Sequence, residues 1–351
     1  MTALGELLVR RIAATGPITL ADYMAECLLH PEHGYYSTRD PFGQAGDFTT
    51  APEISQMFGE LLGLCLAQYW LDLGSPPMVL AELGPGRGTL MADILRATRQ
   101  VPGFHAAANV VLMEASPTLR TVQRKTLGTH PVTWIDRIED LPQGPLFLVA
   151  NEFFDALPIR QFRREPSGWS ETMVGLKDGA LSLGRAASTP FASLEHRLAD
   201  TKPGDIVETC PTAAPIMDYI GNRIAEQGGG ALIIDYGDWG SLGDTFQALQ
   251  DHEFADPLAA PGRADLTAHV DFQALALAAG KLEHKFANQG AVLERLGITH
   301  RATALAQRLK GPARESHIAA HRRLTHPSEM GSLFKVLALY RPGTPPPPGL
   351  S

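Results

Sequence analysis

The sequence predicts an α/β fold: an open, mostly parallel sheet, preceded by a helical N-terminal region and interrupted by an inserted antiparallel β/helical region. Three observations predict it. Short apolar runs alternate with helical ones between about residues 76 and 157, which implies parallel strands joined by right-handed crossovers. That rhythm breaks over about 158–225, where turn-punctuated runs read as antiparallel strands. It resumes at 231–234, an apolar run without alternation, as in a strand buried on both faces.

Residues 1–75 read as helical. Leu4, Leu7, Leu8 and Ile12 recur at helical spacing, and Thr19 with Asp22 makes a capping box ahead of a helix over 20–29, which Pro31 stops. A glycine-punctuated stretch, 34–50, precedes one helical pattern over 54–73. Strands are expected at 78–83, 110–113, 132–135 and 146–150, with a helix over 89–99 and another opened by Ser116 and Pro117. In the insertion, 159–163, 170–175 and 180–183 read as strands joined by Pro-Ser-Gly and Lys-Asp-Gly turns. A helix over 213–226 returns the chain to the sheet. Helices are then expected at 272–279, 290–296, 301–309 and 314–323, followed by a strand over 333–340 at the sheet edge. The domain boundaries implied are 1–75 for a helical cap and lid, 76–157 with 226–340 for the sheet domain, and 158–225 for the insertion. The tail, 341–351, holds Pro345 to Pro348 and is expected to be disordered.

Composition narrows the function. Over 351 residues, a hydrophobic fraction of 44% and a charged fraction of 19% exclude wholesale disorder. Thirty Lys and Arg against 38 Asp and Glu give a net charge of -8, which argues against a nucleic-acid partner. No apolar stretch approaches the ~18 residues that span a bilayer, so no membrane insertion is expected. Residues 1–23 read as neither an export signal nor a transit peptide. Cys27, Cys65 and Cys210 are too few and too scattered for a disulfide framework or a zinc knuckle, and a cytoplasmic setting follows. The helical pair His317 and His321 lacks the glutamate of a zinc protease, so no metal is expected.

The chemistry concentrates where strands end. The first is Val79-Leu80-Ala81-Glu82-Leu83-Gly84-Pro85-Gly86-Arg87-Gly88-Thr89. Glycines let the backbone turn sharply and let a ligand lie against bare peptide groups near a helix N-terminus. A dinucleotide fingerprint would place glycine at 89, where this chain has Thr89. The pattern instead resembles the first motif of S-adenosylmethionine-dependent methyltransferases. That implies Gly84, Gly86 and Gly88 pass under the donor's methionine and ribose, and that Glu82 holds the loop or the amino group. Glu114 ends the next strand, where open α/β sheets put a carboxylate on ribose hydroxyls. Asp136 follows the third, and the resemblance has it face adenine.

Asn151, Glu152 and Asp155 follow the fourth strand and put two carboxylates and an amide at the sheet's ligand edge. The alternative is that Asn151 and Asp155 cap a following helix. Residues 46–60, dense in polar groups before an apolar helix, suit a lid carrying Asp47, Thr50 and Glu53.

Residues 46–60, ELGPGRGT at 82–89, NEFFDALP at 151–158, DYG at 235–237, DLTAHVDF at 265–272 and MGSLFKVL at 330–337 together resemble the MidA family. The resemblance covers about residues 15–340. It implies a class I methyltransferase, Rossmann-like fold and S-adenosylmethionine as donor. It also implies a protein substrate, since the family's mitochondrial member methylates an arginine of a respiratory complex I subunit during that complex's assembly. In that reading Thr50 lies against the donor, and Glu152 and Asp155, with Asn151, grip the guanidinium. Asp47 and Glu53 help from the lid, and His269 is a candidate proton acceptor. Two rivals stand beside it: a catalytically silent assembly scaffold and a nucleotide-dependent oxidoreductase. The insertion and the helices after 272 are left to substrate docking or to a homodimer.

Overall fold

Strands β1 (Met78–Leu83), β2 (Ala108–Met113), β3 (Val132–Ile135), β4 (Leu146–Asn151), β5 (Gly229–Asp238), β6 (Glu283–Asn288) and β7 (Phe334–Tyr340) form one sheet, in the order β6-β7-β5-β4-β1-β2-β3. The computed structural model describes residues 1–38, 50–250 and 253–350. Strands β1 to β5 run parallel, and β7 lies antiparallel between β5 and β6. Strands β1 and β4 are buried along their whole length, as sheets covered on both faces require. Helix α1 (Gln56–Asp72) packs against α2 (Thr89–Thr98), and α2 against α3 (Pro117–Leu127). Leu62, Leu66, Leu80, Ile94, Phe147, Val149, Leu232 and Ile234 belong to one core. Burial of each such side chain contributes roughly 1.5–3 kcal/mol before chain entropy is subtracted.

Among the parallel strands, numbers rise outward in both directions from the β1–β4 pair. The loops leaving β1 and β4 therefore part at the switch point, where open α/β sheets hold their ligands.

The chain forms two compact units, and the boundaries differ from the expected ones. The sheet belongs with residues 50–154, 215–237 and 272–350; residues 1–38, 155–214, 238–250 and 253–271 form the other. The N-terminal helices thus share a unit with the insertion, while α1 goes with the sheet. In the unit without the sheet, Ala3–Thr15 and Leu20–Leu29 bury Leu4, Leu8, Ile12, Tyr23 and Met24 in a core shared with Ile159, Val174 and Leu266. The Thr19–Asp22 capping box is formed. Strands Arg160–Glu165, Gly168–Lys177, Ala180–Arg185 and Ile206–Thr209 pair antiparallel, and Ile18–Thr19 adds to Gly168–Lys177.

Three further expectations are corrected. The helix over 54–73 is broken: Ala51–Ile54 is a separate turn, and Ser55, extended at φ -161°, accepts a hydrogen bond from the Met57 N–H and starts α1 afresh. Strand β7 is not at the edge, because the polar run β6 pairs outside it. The proline tail is placed rather than disordered. The Pro348 carbonyl accepts from the Cys65 thiol at 3.3 Å, and Leu350 is 3% exposed in the core around the sheet. Prolines preset their own backbone angle, which lowers the entropy lost on ordering that segment.

Candidate active site

The glycine loop leaves β1 with Gly84, Gly86 and Gly88 at φ +60°, +51° and +79°. These are left-handed angles that side chains resist. At Gly84 a Cβ would also lie 2.8 Å from Phe153 Cδ2, so the loop after β1 and the turn after β4 touch there. Gly88 is the N-cap of α2 and offers no side chain. Glu82 supplies one from β1, and the Met91 N–H in the first turn of α2 favours its ionised form. Its Oε2 is buried without a hydrogen-bond partner among the described residues. Burial, with Glu114 adding repulsion, pushes the Glu82 carboxyl up to about 8.

Glu114, at the end of β2, is 9% exposed. Its Oε1 accepts from the Ser116 N–H at 2.8 Å and its Oε2 from Gln123 Nε2 at 3.1 Å. Burial raises its pKa, while those two donors pull it back. A carboxylate offers about four lone-pair sites, so two remain for a ligand diol. Asp136 is placed less favourably: its side chain is 72% accessible and pairs with Arg120 at 2.7 Å.

At the end of β4, Glu152 adopts φ +52°, rare for a residue with a side chain. Its N–H extends the sheet ladder to the Ile234 carbonyl. Its Oε1 accepts from Asn151 Nδ2 at 3.0 Å and from the Ala51 N–H at 3.2 Å. The Asn151 Oδ1 is buried and, like Glu82 Oε2, lacks a partner among the described residues. Two orphaned acceptors at the ends of paired strands β1 and β4, with a bare-backbone loop between them, fit the ammonium and sulfonium charges of S-adenosylmethionine. Thr50, 9% exposed, precedes the Ala51–Ile54 turn, and its carbonyl accepts from Glu53 and Ile54. Glu53 Oε1 accepts from Thr89 Oγ1 at 2.5 Å, which engages it with α2 rather than leaving it to a substrate.

Asp155 and His269 belong to the other unit. Asp155 is 6% exposed, no helix begins in the segment it occupies, and the capping alternative therefore falls away. Its carbonyl accepts from the Ala268 N–H, and its charge bears on Tyr36, whose hydroxyl donates to Asp265 Oδ1 at 2.8 Å. His269 is exposed, with its N–H on Thr245 Oγ1. Asp47 lies outside the described residues.

Two residues escaped sequence reasoning, and a third, Asp235, was named only within the DYG motif at the sheet edge. Gln123 is fully buried on α3; its amide also donates to the Gly86 carbonyl at 2.8 Å and accepts from Trp134 Nε1 at 2.7 Å. Arg120 donates to the carbonyls of Glu114 and Ile135, tying the ends of β2 and β3. Asp235, at β5, is 0% exposed and accepts from the Phe154 and Tyr236 N–H groups, which fixes the turn after β4. Polar residues spaced at three or four along 116–123 were the available signal for the first two.

Comparison with known proteins identifies the family and its methyl donor. Residues 61–289 match the family model described as S-adenosyl-L-methionine-dependent methyltransferase. The chain is 38% identical to human protein arginine methyltransferase NDUFAF7, mitochondrial, over 95% of its own length and 82% of the relative's. The Drosophila melanogaster homolog is 36% identical over 96% and 85%. A crystal structure from Burkholderia thailandensis, bound to S-adenosyl-homocysteine, superposes with a TM-score of 0.80 at 30% identity, covering 99% of this chain and 92% of that one. The human and Drosophila relatives are named as mitochondrial, which overturns the cytoplasmic setting read from the cysteines and the first residues. The chain belongs to the MidA family of S-adenosylmethionine-dependent methyltransferases, with the class I methyltransferase fold.

Proposed function

We propose that this protein transfers the donor methyl to an arginine side chain of a protein substrate. The observation that carries the reading is the Glu152 carboxylate, held in left-handed backbone between the Asn151 amide and the Ala51 N–H beside the glycine loop. The naming of relatives 38% identical to this chain as protein arginine methyltransferases supports it. S-adenosylmethionine supplies an electrophilic sulfonium methyl. The chain's own part is to bind, align and exclude water, because the leaving sulfur needs no proton. Glu82 and Asn151 are assigned the donor's amino group, the backbone at 84, 86 and 88 its methionine and ribose, and Glu114 its ribose hydroxyls. Thr50 and Asp136 are the weaker members of that set.

A guanidinium stays protonated in proteins and is a poor nucleophile. Carboxylates that grip two of its nitrogens bias the third toward attack. Glu152 is the first residue assigned to that grip, with Asp155 and Asn151 completing the catalytic set. Asp47 and His269 are substrate-side candidates. A respiratory complex I subunit is the first acceptor to test.

The test is incubation of purified protein and candidate acceptors with methyl-labelled S-adenosylmethionine, followed by mass spectrometry. Methylarginine is expected, and Glu152→Gln is expected to lower turnover about a hundredfold or more while donor affinity stays within about threefold. Label on small molecules alone would overturn the protein substrate. Lost donor binding in Glu152→Gln would move that residue to the donor site.

A further inference from the structure

Helices Ile298–Ala306 and Gly311–Thr325 pack on each other through a four-residue connection, 307–310. Between them runs an open groove of about 690 Å3, whose lining includes Ala302, Ala306, Leu309, Lys310, Arg314 and Ile318. The charge of this segment opposes that of the chain. Residues 298–325 hold Arg301, Arg308, Lys310, Arg314, Arg322 and Arg323 against a single acid, Glu315, in a protein of net charge -8. Arg301 is neutralised by Glu60 and Arg322 by Glu329. Lys310 and Arg314 are exposed, and neither has a carboxylate within ion-pair distance among the described residues.

We propose that this groove docks an acidic segment of a partner polypeptide. Carboxylates of the segment meet Lys310 and Arg314 at the rim, and its aliphatic side chains seat on Ala302, Ala306 and Ile318. Ile318 is 51% exposed, and the two alanines let a backbone approach closely. The lining adds Thr303 and Gln307 as uncharged polar groups, and the Glu294 carboxylate beside it is taken up by Thr299 and His321, so Lys310 and Arg314 are the charges left to select for an acidic segment and hasten encounter. Nucleic acid fits less well: single strands need aromatic stacking platforms, and the lining holds no Phe, Tyr or Trp. Helix Gly311–Thr325 also packs against Ala51–Ile54, the turn that carries Glu53, so the groove adjoins the scaffold of the donor site. The proposal stands whichever atom is methylated.

Fluorescence anisotropy tests it on the full chain. The probe is a synthetic amphipathic helical peptide with Glu on one face and Leu on the other. A matched peptide with Lys in place of Glu and a single-stranded oligonucleotide are the comparisons. The acidic peptide is expected to bind, more weakly as salt rises. Lys310→Glu with Arg314→Glu is expected to weaken binding about tenfold or more, and Ile318→Ser to weaken it at high salt. Lys177→Glu with Arg185→Glu, exposed cations on other strands, should change it less than about twofold. S-adenosylhomocysteine affinity, unchanged in all variants, certifies the fold. Equal binding of the Lys peptide, or insensitivity to the 310 and 314 reversals, overturns the proposal. So does an oligonucleotide that binds more tightly through the same two residues.

Discussion

The Gln123 amide nitrogen lies 3.1 Å from Glu114 Oε2 and 2.8 Å from the Gly86 carbonyl, so one buried side chain ties the glycine loop to the carboxylate that ends β2. The Glu114 rotamer is thereby set before any ligand arrives. Losing a hydrogen bond to a charged group costs about 1.5–3 kcal/mol. Gln123→Leu is therefore expected to weaken S-adenosylmethionine binding about tenfold to a hundredfold by calorimetry. Gln123→Glu, which sets carboxylate against carboxylate, should do at least as much. Unchanged affinity in both would show that Glu114 does not depend on this amide.

Glu82 gives a pH dependence whose sign can be worked out. Its carboxyl is pushed to about 8 by burial, so it is largely protonated at neutral pH in the free protein. A cationic donor favours the ionised form. Affinity should then rise with pH up to about 8 and level off above it, with proton release on binding. Calorimetry in buffers of different ionisation enthalpy reads that proton, and Glu82→Gln should abolish its release. The same raised value makes free-protein stability fullest below the ordinary carboxylate range and declining as pH rises toward 8. Glu82→Gln should accordingly melt higher than the natural protein at pH 9 in the absence of donor.

The ease of reading these residues in the sequence follows from how each reaches the site. Gly84, Gly86, Gly88 and Glu114 were legible because they directly follow apolar strands, and topology alone carries such positions to one edge. Gln123 was not: a polar residue inside an amphipathic helix looks like a solvated face until the sheet beneath it is known. Glu53 was seen as a lid acid, but its partner Thr89 is 36 residues away and leaves no local trace. Strand β6, Glu-His-Lys-Phe-Ala-Asn, reads as loop because its first three residues are exposed at the sheet edge. Tail order depends on Leu350 finding a core pocket, which no composition rule anticipates.

That tail supplies a stability test. Leu350 is 3% exposed in the core around the sheet, and Arg295 Nη1 and the Cys65 thiol donate to the Gly349 and Pro348 carbonyls. Leu350→Ala removes buried methyl groups and leaves a cavity, at a cost of about 2–3 kcal/mol. Denaturant titration should show the unfolding free energy fall by that amount. A disordered tail would leave it unmoved.

Gly84→Ala separates backbone need from simple flexibility. The substitution meets two obstacles: φ +60° and a Cβ 2.8 Å from Phe153 Cδ2. The first costs about 1–2 kcal/mol for an L-residue, and the second forces the Phe153 ring away from the loop. Donor affinity should drop by more than about thirtyfold, beyond what the angle alone explains. Adding Phe153→Ala relieves the clash but not the angle. Partial recovery of affinity in the double variant would apportion the two, and full recovery would show that the left-handed angle is not required for binding.

Glu60 ties the cationic helices to α1. Its Oε2 lies 2.8 Å from Arg301 Nε and its Oε1 3.1 Å from Arg96 Nη2, while its own side chain is 8% accessible. Burial opposes its ionisation, but the hydrogen bonds and charges of Arg301 and Arg96 outweigh that and hold its pKa below the ordinary value. A carboxyl depressed in the folded state contributes stability above its unfolded value and loses it as pH falls through the folded one. Glu60→Gln should therefore lower the melting temperature at neutral pH, by an amount corresponding to about 1–3 kcal/mol, with the difference shrinking below about pH 4. Both arginines are nearly half accessible, so water takes up part of the loss and the lower end is expected. Hydrogen exchange should report the same change locally, with amides of Ile298–Ala306 losing protection before those of β1 and β4. A uniform loss across the sheet would mean that Glu60 supports the core rather than this helix.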